Sequence, residues 1–175
     1  MSSSMEALYQ QVILDHSKRP NGKGLIEVSG PLAGESHQVN PTCGDEVTMR
    51  VQFAQDPAGR KIVERVSWEG EGCSISQASL SVLTELVTGT QIDEVERLGE
   101  TFRQLMQSRG KGLDEALEDE LGDATAFTGV SQFPARIKCA LLGWAALRDT
   151  FATSGVLAEA TATTTTGRAT STPDR

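Results

Sequence analysis

The chain of 175 residues has little sulfur chemistry to draw on: three cysteines, Cys43, Cys73 and Cys139, and two histidines, His16 and His37. The thiol count is odd and no cysteine has a close neighbour in sequence, which argues against a disulfide framework. A basic excess is also missing. Sixteen Lys and Arg stand against 24 Asp and Glu, a formal net charge of −8. Nothing obvious would neutralise phosphates, so a general nucleic-acid binder is excluded. Long apolar runs are absent, and the longest, Cys139 to Leu147, is far too short to span a bilayer. The start, Met1-Ser-Ser-Ser-Met5, runs into a polar periodic segment without the basic and apolar regions of a signal peptide. The expected location is cytoplasmic, where thiols stay reduced. No internal repeats occur. Gly70-Glu71-Gly72 is too short for a phosphate loop, and Cys73 stands where that loop has its Lys.

What is present fits a soluble globular protein, with 38% hydrophobic and 23% charged residues and length for one domain with a real core. Met5, Leu8, Val12 and Ile13 recur at helical spacing, predicting a first helix to about Ser17, before Arg19-Pro20-Asn21-Gly22 breaks it. A loop containing Gly24, Gly30, Pro31 and Gly34 follows. Val47, Met49, Val51 and Phe53 alternate with polar residues as in a half-buried strand. Asp56-Pro57-Ala58-Gly59 is a turn, and Ile62 to Trp68 reads as the hairpin partner. Ser74 with Gln77 has the form of a capping box, so a helix starts just after Cys73, its apolar face Ile75, Ala78, Val82 and Leu86, and stops at Gly89. Thr90 with Asp93 suggests a second N-cap, opening a helix over Ile92, Val95, Phe102, Leu105 and Met106 to about Ser108. Arg109 to Gly129 is acidic and less regular, read as short helices and loop. Pro134 suits the first position of a last helix whose apolar face is Ile137, Ala140, Leu141, Trp144, Leu147 and Phe151. The order is helix, short antiparallel sheet, then helices: an α+β fold, a small antiparallel sheet packed against helices, over residues 1–152. From 153 to 175 the Thr- and Ala-rich composition predicts a disordered tail.

Each cysteine has its own frame. Cys43, in Asn40-Pro41-Thr42-Cys43-Gly44-Asp45, lies in a tight turn presented by a proline and a glycine. Asp45, two residues on in an extended segment, points the same way, and a thiolate and a carboxylate can both ligate zinc. Cys73, after Gly70-Glu71-Gly72, sits at a helix N-terminus, where free N–H groups favour a thiolate. The preceding glycines admit close approach by a partner group. Cys139 lies one to two turns into the last helix, and Arg136, three residues earlier, shares its face. Three thiolates and a carboxylate around Zn²⁺ leave excess negative charge, which Arg136 would offset, while Lys138 points elsewhere. Taken singly, the cysteines also fit plainer roles: Cys139 as a small buried apolar residue, Cys73 as part of a strand-to-helix connection, Cys43 as part of a turn. His16 reads as a helix-end imidazole. His37 reads as a loop or surface residue, with metal ligation an outside option. Trp68 and Trp144 read as core.

Together, Asn-Pro-Thr-Cys-Gly-Asp, Gly-Glu-Gly-Cys-Ser-Ile-Ser and Phe-Pro-Ala-Arg-Ile-Lys-Cys-Ala resemble the SufU branch of the IscU-like iron–sulfur assembly proteins. The resemblance runs from Leu8-Tyr9-Gln10-Gln11-Val12-Ile13-Leu14-Asp15-His16 to about Leu147. Lys138 stands where IscU-type scaffolds place a histidine, and the stretch Gln107 to Gln132 resembles an insertion typical of SufU. The resemblance implies a zinc site at Cys43, Asp45, Cys73 and Cys139, with Arg136 beside it as charge compensation. It also implies a role as sulfur carrier: Cys43 accepts persulfide sulfur from a PLP-dependent cysteine desulfurase, SufS, and passes it to the downstream SUF assembly machinery. Such a protein acts as the sulfurtransferase-type partner of the desulfurase rather than as a stand-alone enzyme. The alternative is a scaffold that binds iron and builds a nascent [2Fe–2S] cluster on the same cysteines. Soft thiolates suit zinc and iron alike.

Overall fold

Every second residue from Asp45 to Phe53 is buried, as a strand lying face-down on a core requires. The computed structural model describes residues 3–157. Within them, α1 (Ser3–Lys18) is followed by β1 (Ala33–Asn40), β2 (Asp45–Gln55) and β3 (Lys61–Glu71), then α2 (Ser74–Val87), α3 (Ile92–Gln107), α4 (Glu115–Leu121), a 3₁₀ segment (Gly122–Gln132) and α5 (Pro134–Ser154). The strands form an antiparallel meander in the order β1-β2-β3. The α+β class expected from the element order is what the chain adopts. The β2–β3 hairpin turns at Asp56, whose Oδ1 accepts the N–H groups of Ala58 and Arg60, both at 2.9 Å. These bonds hold the Asp56 carboxyl below its ordinary range, the backbone N–H of Arg60 being the main cause.

β1 departs from expectation, since its residues read as loop. Its buried positions are Gly34, Ser36 and Asn40, so no apolar alternation marks it. The reason is α5, which crosses close above. A Cβ on Gly34 would sit 2.5 Å from the Thr150 carbonyl oxygen, and Ser36 Oγ donates to Asp149 Oδ2 at 2.7 Å. The free edge of β3 is covered by the segment after α1: Trp68 N–H donates to Gly22 O at 2.9 Å, and Gly24 N–H donates to Trp68 O at 2.8 Å. That cover removes an exposed pairing edge.

The helices fill the other side of the core. α2 is buried on more than the one face expected: Leu80 and Leu83 are enclosed together with Ala78, Val82 and Val87, because α2 lies between α1 and α5. Gly143 of α5 makes room for Leu80, whose Cδ2 lies 2.6 Å from where a Cβ would stand. α3 buries Ile92, Val95, Leu98, Phe102, Leu105 and Met106 at three- and four-residue spacing. The expected Thr90–Asp93 cap is not formed. Gln91 is the N-cap residue, and Thr90 Oγ1 instead donates to Leu86 O at the end of α2. The acidic stretch after α3 ends in a deeply buried 3₁₀ segment. Its polar residues enter the core because Thr128 and Ser131 donate to the backbone carbonyls of Thr125 and Thr128. Phe127 meets Phe102 edge-on at 5.8 Å, and Phe102 stacks on Trp144 at 5.4 Å.

Pro134 takes the first turn of α5, as its fixed φ favours. α5 runs to Ser154 and closes on Gly155 at φ 70°, and Val156 is buried. The packed chain therefore continues past the expected boundary at 152. The rest of the expected tail, 158–175, lies outside the described residues. No helix among the described residues is long and apolar enough to cross a membrane. Because β1 is held to α5 through Gly34, Gly34→Ala should force the strand and helix apart and cost about 1–3 kcal/mol. Urea unfolding of the variant, with the m-value unchanged, is the check.

Candidate metal centre

Three connections meet at one end of the sheet: the β1–β2 turn, the β3–α2 junction and the second turn of α5. Asn40 and Asp45 face each other across the β1–β2 register and enclose the turn Pro41–Gly44. Gly44 N–H donates to Asn40 O at 2.9 Å, and Gly44 has φ 71°, a conformation costly for other residues. Cys43 is exposed at the tip of this turn.

Asp45 opens β2 and is 1% exposed. Its Oδ1 accepts the backbone N–H of Cys73 at 3.0 Å. Cys73 is the N-cap residue of α2, so the carboxylate caps the helix from another strand. The Ser74–Gln77 capping box expected from sequence is not formed: Ser74 falls inside the helix, and Gln77 Nε2 reaches back to Gly70 O instead. Gly72 makes the arrangement possible, since a Cβ there would lie 2.6 Å from Asp45 Oδ1 and 2.3 Å from Ser76 Oγ. The other oxygen, Oδ2, is buried and finds no hydrogen-bond partner among the described residues.

Cys139 is buried on α5 and its Sγ lies 3.2 Å from Cys43 Sγ. Both thiols also face the Ala135 carbonyl oxygen at 3.7 Å. Burial pushes the Cys139 thiol far above its ordinary range, and the neighbouring Asp45, Cys43 and Cys73 push it further the same way. Donor atoms of Cys43, Asp45 and Cys139 all lie within 4.8 Å of one another. Cys73 is exposed at the helix start and is not part of that group.

Three of the four groups expected as ligands, Cys43, Asp45 and Cys139, thus come together, while Cys73 is not among the donor atoms that lie within 4.8 Å of one another. In isolation the arrangement is unfavourable: an unpartnered buried carboxylate oxygen beside crowded thiols costs free energy. A soft cation relieves both, since it satisfies the oxygen and favours thiolates. The donor set of sulfurs and one carboxylate oxygen fits zinc, and the thiolates also fit an iron–sulfur cluster.

Arg136 is exposed, and its guanidinium lies 5.2 Å from the centre of the Phe133 ring. Lys138 is exposed. His37 lies on the outer side of β1, its ring nitrogens engaged by Thr48 Oγ1 at 2.8 Å and Glu46 Oε1 at 3.0 Å. His16 ties the end of α1 to Ser81 and Asp123, at 2.8 and 2.9 Å. Its group with Glu85 and Asp123 could geometrically hold an ion, but both carboxylates are exposed and the histidine is already bonded on both nitrogens. The sequence reading assigned no role to Asn40, whose Nδ2 lies 3.1 Å from Cys43 Sγ. The signal was an asparagine preceding a proline at a turn, where its side chain bonds backbone two residues on.

Residues 8–140 match the family described as the NifU-like N-terminal domain. The chain is 42% identical over 146 residues to the zinc-dependent sulfurtransferase SufU of Bacillus subtilis, covering 83% of this chain and 90% of that protein. It is 37% identical over 148 residues to the iron–sulfur cluster assembly scaffold protein IscU of Streptococcus pyogenes, covering 84% of each. Among solved structures, the SUF-system iron–sulfur cluster assembly scaffold protein of Fervidobacterium islandicum superposes with a TM-score of 0.65 at 34% identity, covering 85% of this chain and 98% of that one. The chain therefore belongs to the NifU-like N-terminal domain family, as an iron–sulfur cluster assembly protein of the SufU and IscU type.

Proposed function

We propose that the protein is a zinc-dependent sulfur acceptor and carrier, taking persulfide sulfur through Cys43. The observation that carries this reading is the asymmetry of the cluster. Asp45 and Cys139 are buried while Cys43 is exposed on a glycine-containing turn. Cys139 and Asp45 are anchored in a helix and a strand, and Cys73 at a helix start. Cys73 is exposed too, but its backbone N–H is held by Asp45, whereas Cys43 stands at the tip of a turn outside the core. Similarity to a zinc-dependent sulfurtransferase supports the same reading.

The ligands are Cys43, Asp45, Cys73 and Cys139. Bound there, zinc would keep the thiols ionised at neutral pH. The acceptor step needs no outside oxidant. The Cys43 thiolate attacks the terminal sulfur of a donor persulfide, R–S–SH. A sulfur–sulfur bond forms at Cys43, the donor's sulfur–sulfur bond breaks, the proton stays on the transferred sulfur, and the donor leaves as R–S⁻. The donor of that chemistry is a PLP-dependent cysteine desulfurase of the SufS kind, and the recipients are the later components of SUF assembly. Arg136, exposed in the first turn of α5 three residues before Cys139, would offset the negative charge of the thiolates. The site of action is the cytoplasm.

Two measurements test this. After reaction with a cysteine desulfurase and cysteine, mass spectrometry should find one added sulfur on the peptide containing Cys43, absent in Cys43→Ala. Undiminished acceptance of sulfur by Cys43→Ala protein sinks the acceptor role. So does anaerobic reconstitution that yields a stable, transferable [2Fe–2S] cluster in place of bound zinc, since it favours the scaffold. The second measurement concerns Asp45→Asn, which keeps the oxygen that accepts the Cys73 N–H but removes the charge. Zinc affinity, read by chelator competition, should fall by about 100-fold or more, beyond the loss typical for outer-shell partners. The metal-free form should become more stable by about 1–3 kcal/mol, because a buried oxygen without a hydrogen-bond partner gives way to an NH₂ that can donate to the neighbouring sulfurs. A fall in both would make the carboxylate a structural cap only.

A further inference from the structure

We infer that Asn40 is a positioning residue for Cys43, a hydrogen-bond donor that aims its sulfur for transfer. The inference rests on the reading of Cys43 as sulfur acceptor. Asn40 ends β1 and is 7% exposed. Its side-chain Oδ1 accepts the Thr42 N–H at 3.3 Å, its backbone carbonyl accepts the Gly44 N–H at 2.9 Å, and its Nδ2 donates to Cys43 Sγ at 3.1 Å. One buried residue thus brackets the cysteine on both sides and touches its sulfur.

The orientation of the amide follows from its partners. Thr42 N–H can only donate, so it must meet the amide oxygen, and the NH₂ group is then left facing the sulfur. The donor is held at both ends, in a side chain with little room to turn. It also cannot ionise, so it offers the same N–H to a thiolate, a metal-bound thiolate or the inner sulfur of a Cys43 persulfide.

Such a donor matters at this position. Cys43 sits on an exposed turn, where a sulfur loses its orientation once it leaves its fellow ligands. Attack on a persulfide needs the sulfur aligned at near-contact distance with the terminal sulfur of the donor, and misorientation is costly in rate. The N–H···S bond keeps the sulfur on its own side of the turn as the thiolate attacks. The step remains that given above: the bond from Cys43 sulfur to the terminal sulfur forms, the donor's sulfur–sulfur bond breaks, and the donor departs as thiolate. Asn40 exchanges neither proton nor electrons. Across the register, Asp45 holds the fixed part of the cluster, so the two residues that enclose the turn divide the work: Asp45 for the ligands that stay, Asn40 for the one that moves.

A turn-building role alone predicts something different, and Asn40→Asp separates the two. The aspartate keeps Oδ1 for Thr42 and the backbone carbonyl for Gly44, but puts an oxygen against the sulfur in place of the N–H. In single-turnover transfer from a cysteine desulfurase, Asn40→Asp should lower the maximal rate about tenfold, the scale of losing a hydrogen bond to a charged group. The desulfurase concentration for half-maximal rate and the far-UV circular dichroism should stay as in the wild type. Independently, the Asn40 side-chain NH₂ signals in a ¹⁵N-correlated NMR spectrum should move and exchange faster in Cys43→Ala protein, a check that does not need the Asn40 variant to fold. Wild-type transfer by Asn40→Asp, or unchanged Asn40 signals in Cys43→Ala, overturns the inference and leaves the acceptor reading standing. Failure of the wild-type protein to gain sulfur on Cys43 overturns the acceptor reading first, and the inference with it.

Discussion

The carboxylate of Asp45 is the constraint around which the site is arranged. One of its oxygens accepts the N–H at the start of α2, and the other is buried and without a hydrogen-bond partner among the described residues. The first contact fixes the start of α2 against the start of β2, and so fixes where Cys73 stands. It requires Gly72 to lack a side chain. The second oxygen is an unmet demand beside Cys43 and Cys139. A group that is satisfied by the fold on one side and unsatisfied on the other links the stability of the scaffold to the chemistry of the site.

The surrounding architecture makes that link rigid where it needs to be. β2 is the central strand and is buried at every second position, so Asp45 is carried by the best-held element of the sheet. α5 crosses the sheet close enough to touch backbone at Gly34 and accommodates Leu80 of α2 at Gly143. Cys139 therefore has little freedom relative to Asp45. The turn bearing Cys43 is the contrast: exposed, short, and dependent on Gly44 and Asn40 for its shape. The buried anchors and the exposed turn give the site one sulfur, that of Cys43, on an element outside the packed core.

Much of this was legible in the residues. The alternation in β2, the turn at Asp56–Gly59 and the spacing in α3 and α5 each follow from burial on one side, and burial on one side leaves a periodic trace. Cys43, Cys73, Cys139 and Asp45 come together as one group through the resemblance that their three motifs carry, since spacing alone leaves plainer roles open for each cysteine. What stayed hidden was decided by neighbours distant in sequence. β1 left no trace because α5 comes too near for apolar side chains, so glycine and serine occupy its buried face. The capping box at Ser74–Gln77 is not formed, and a carboxylate from another strand accepts the Cys73 N–H. The 3₁₀ segment, expected only as short helices and loop, is buried because its hydroxyls bond its own backbone. Asn40 was visible as part of a turn, but its reach to sulfur depends on the closing geometry of the hairpin.

The three segments that meet at the end of the sheet are far apart along the chain, and no two cysteines are close enough in sequence to chelate an ion locally. The binding site consequently does not exist until the last helix has docked on the sheet. An ion bound there would report completion of the whole chain topology, its free energy added only to the finished state. A newly made chain, still without α5, would lack Cys139 and present only part of the donor set.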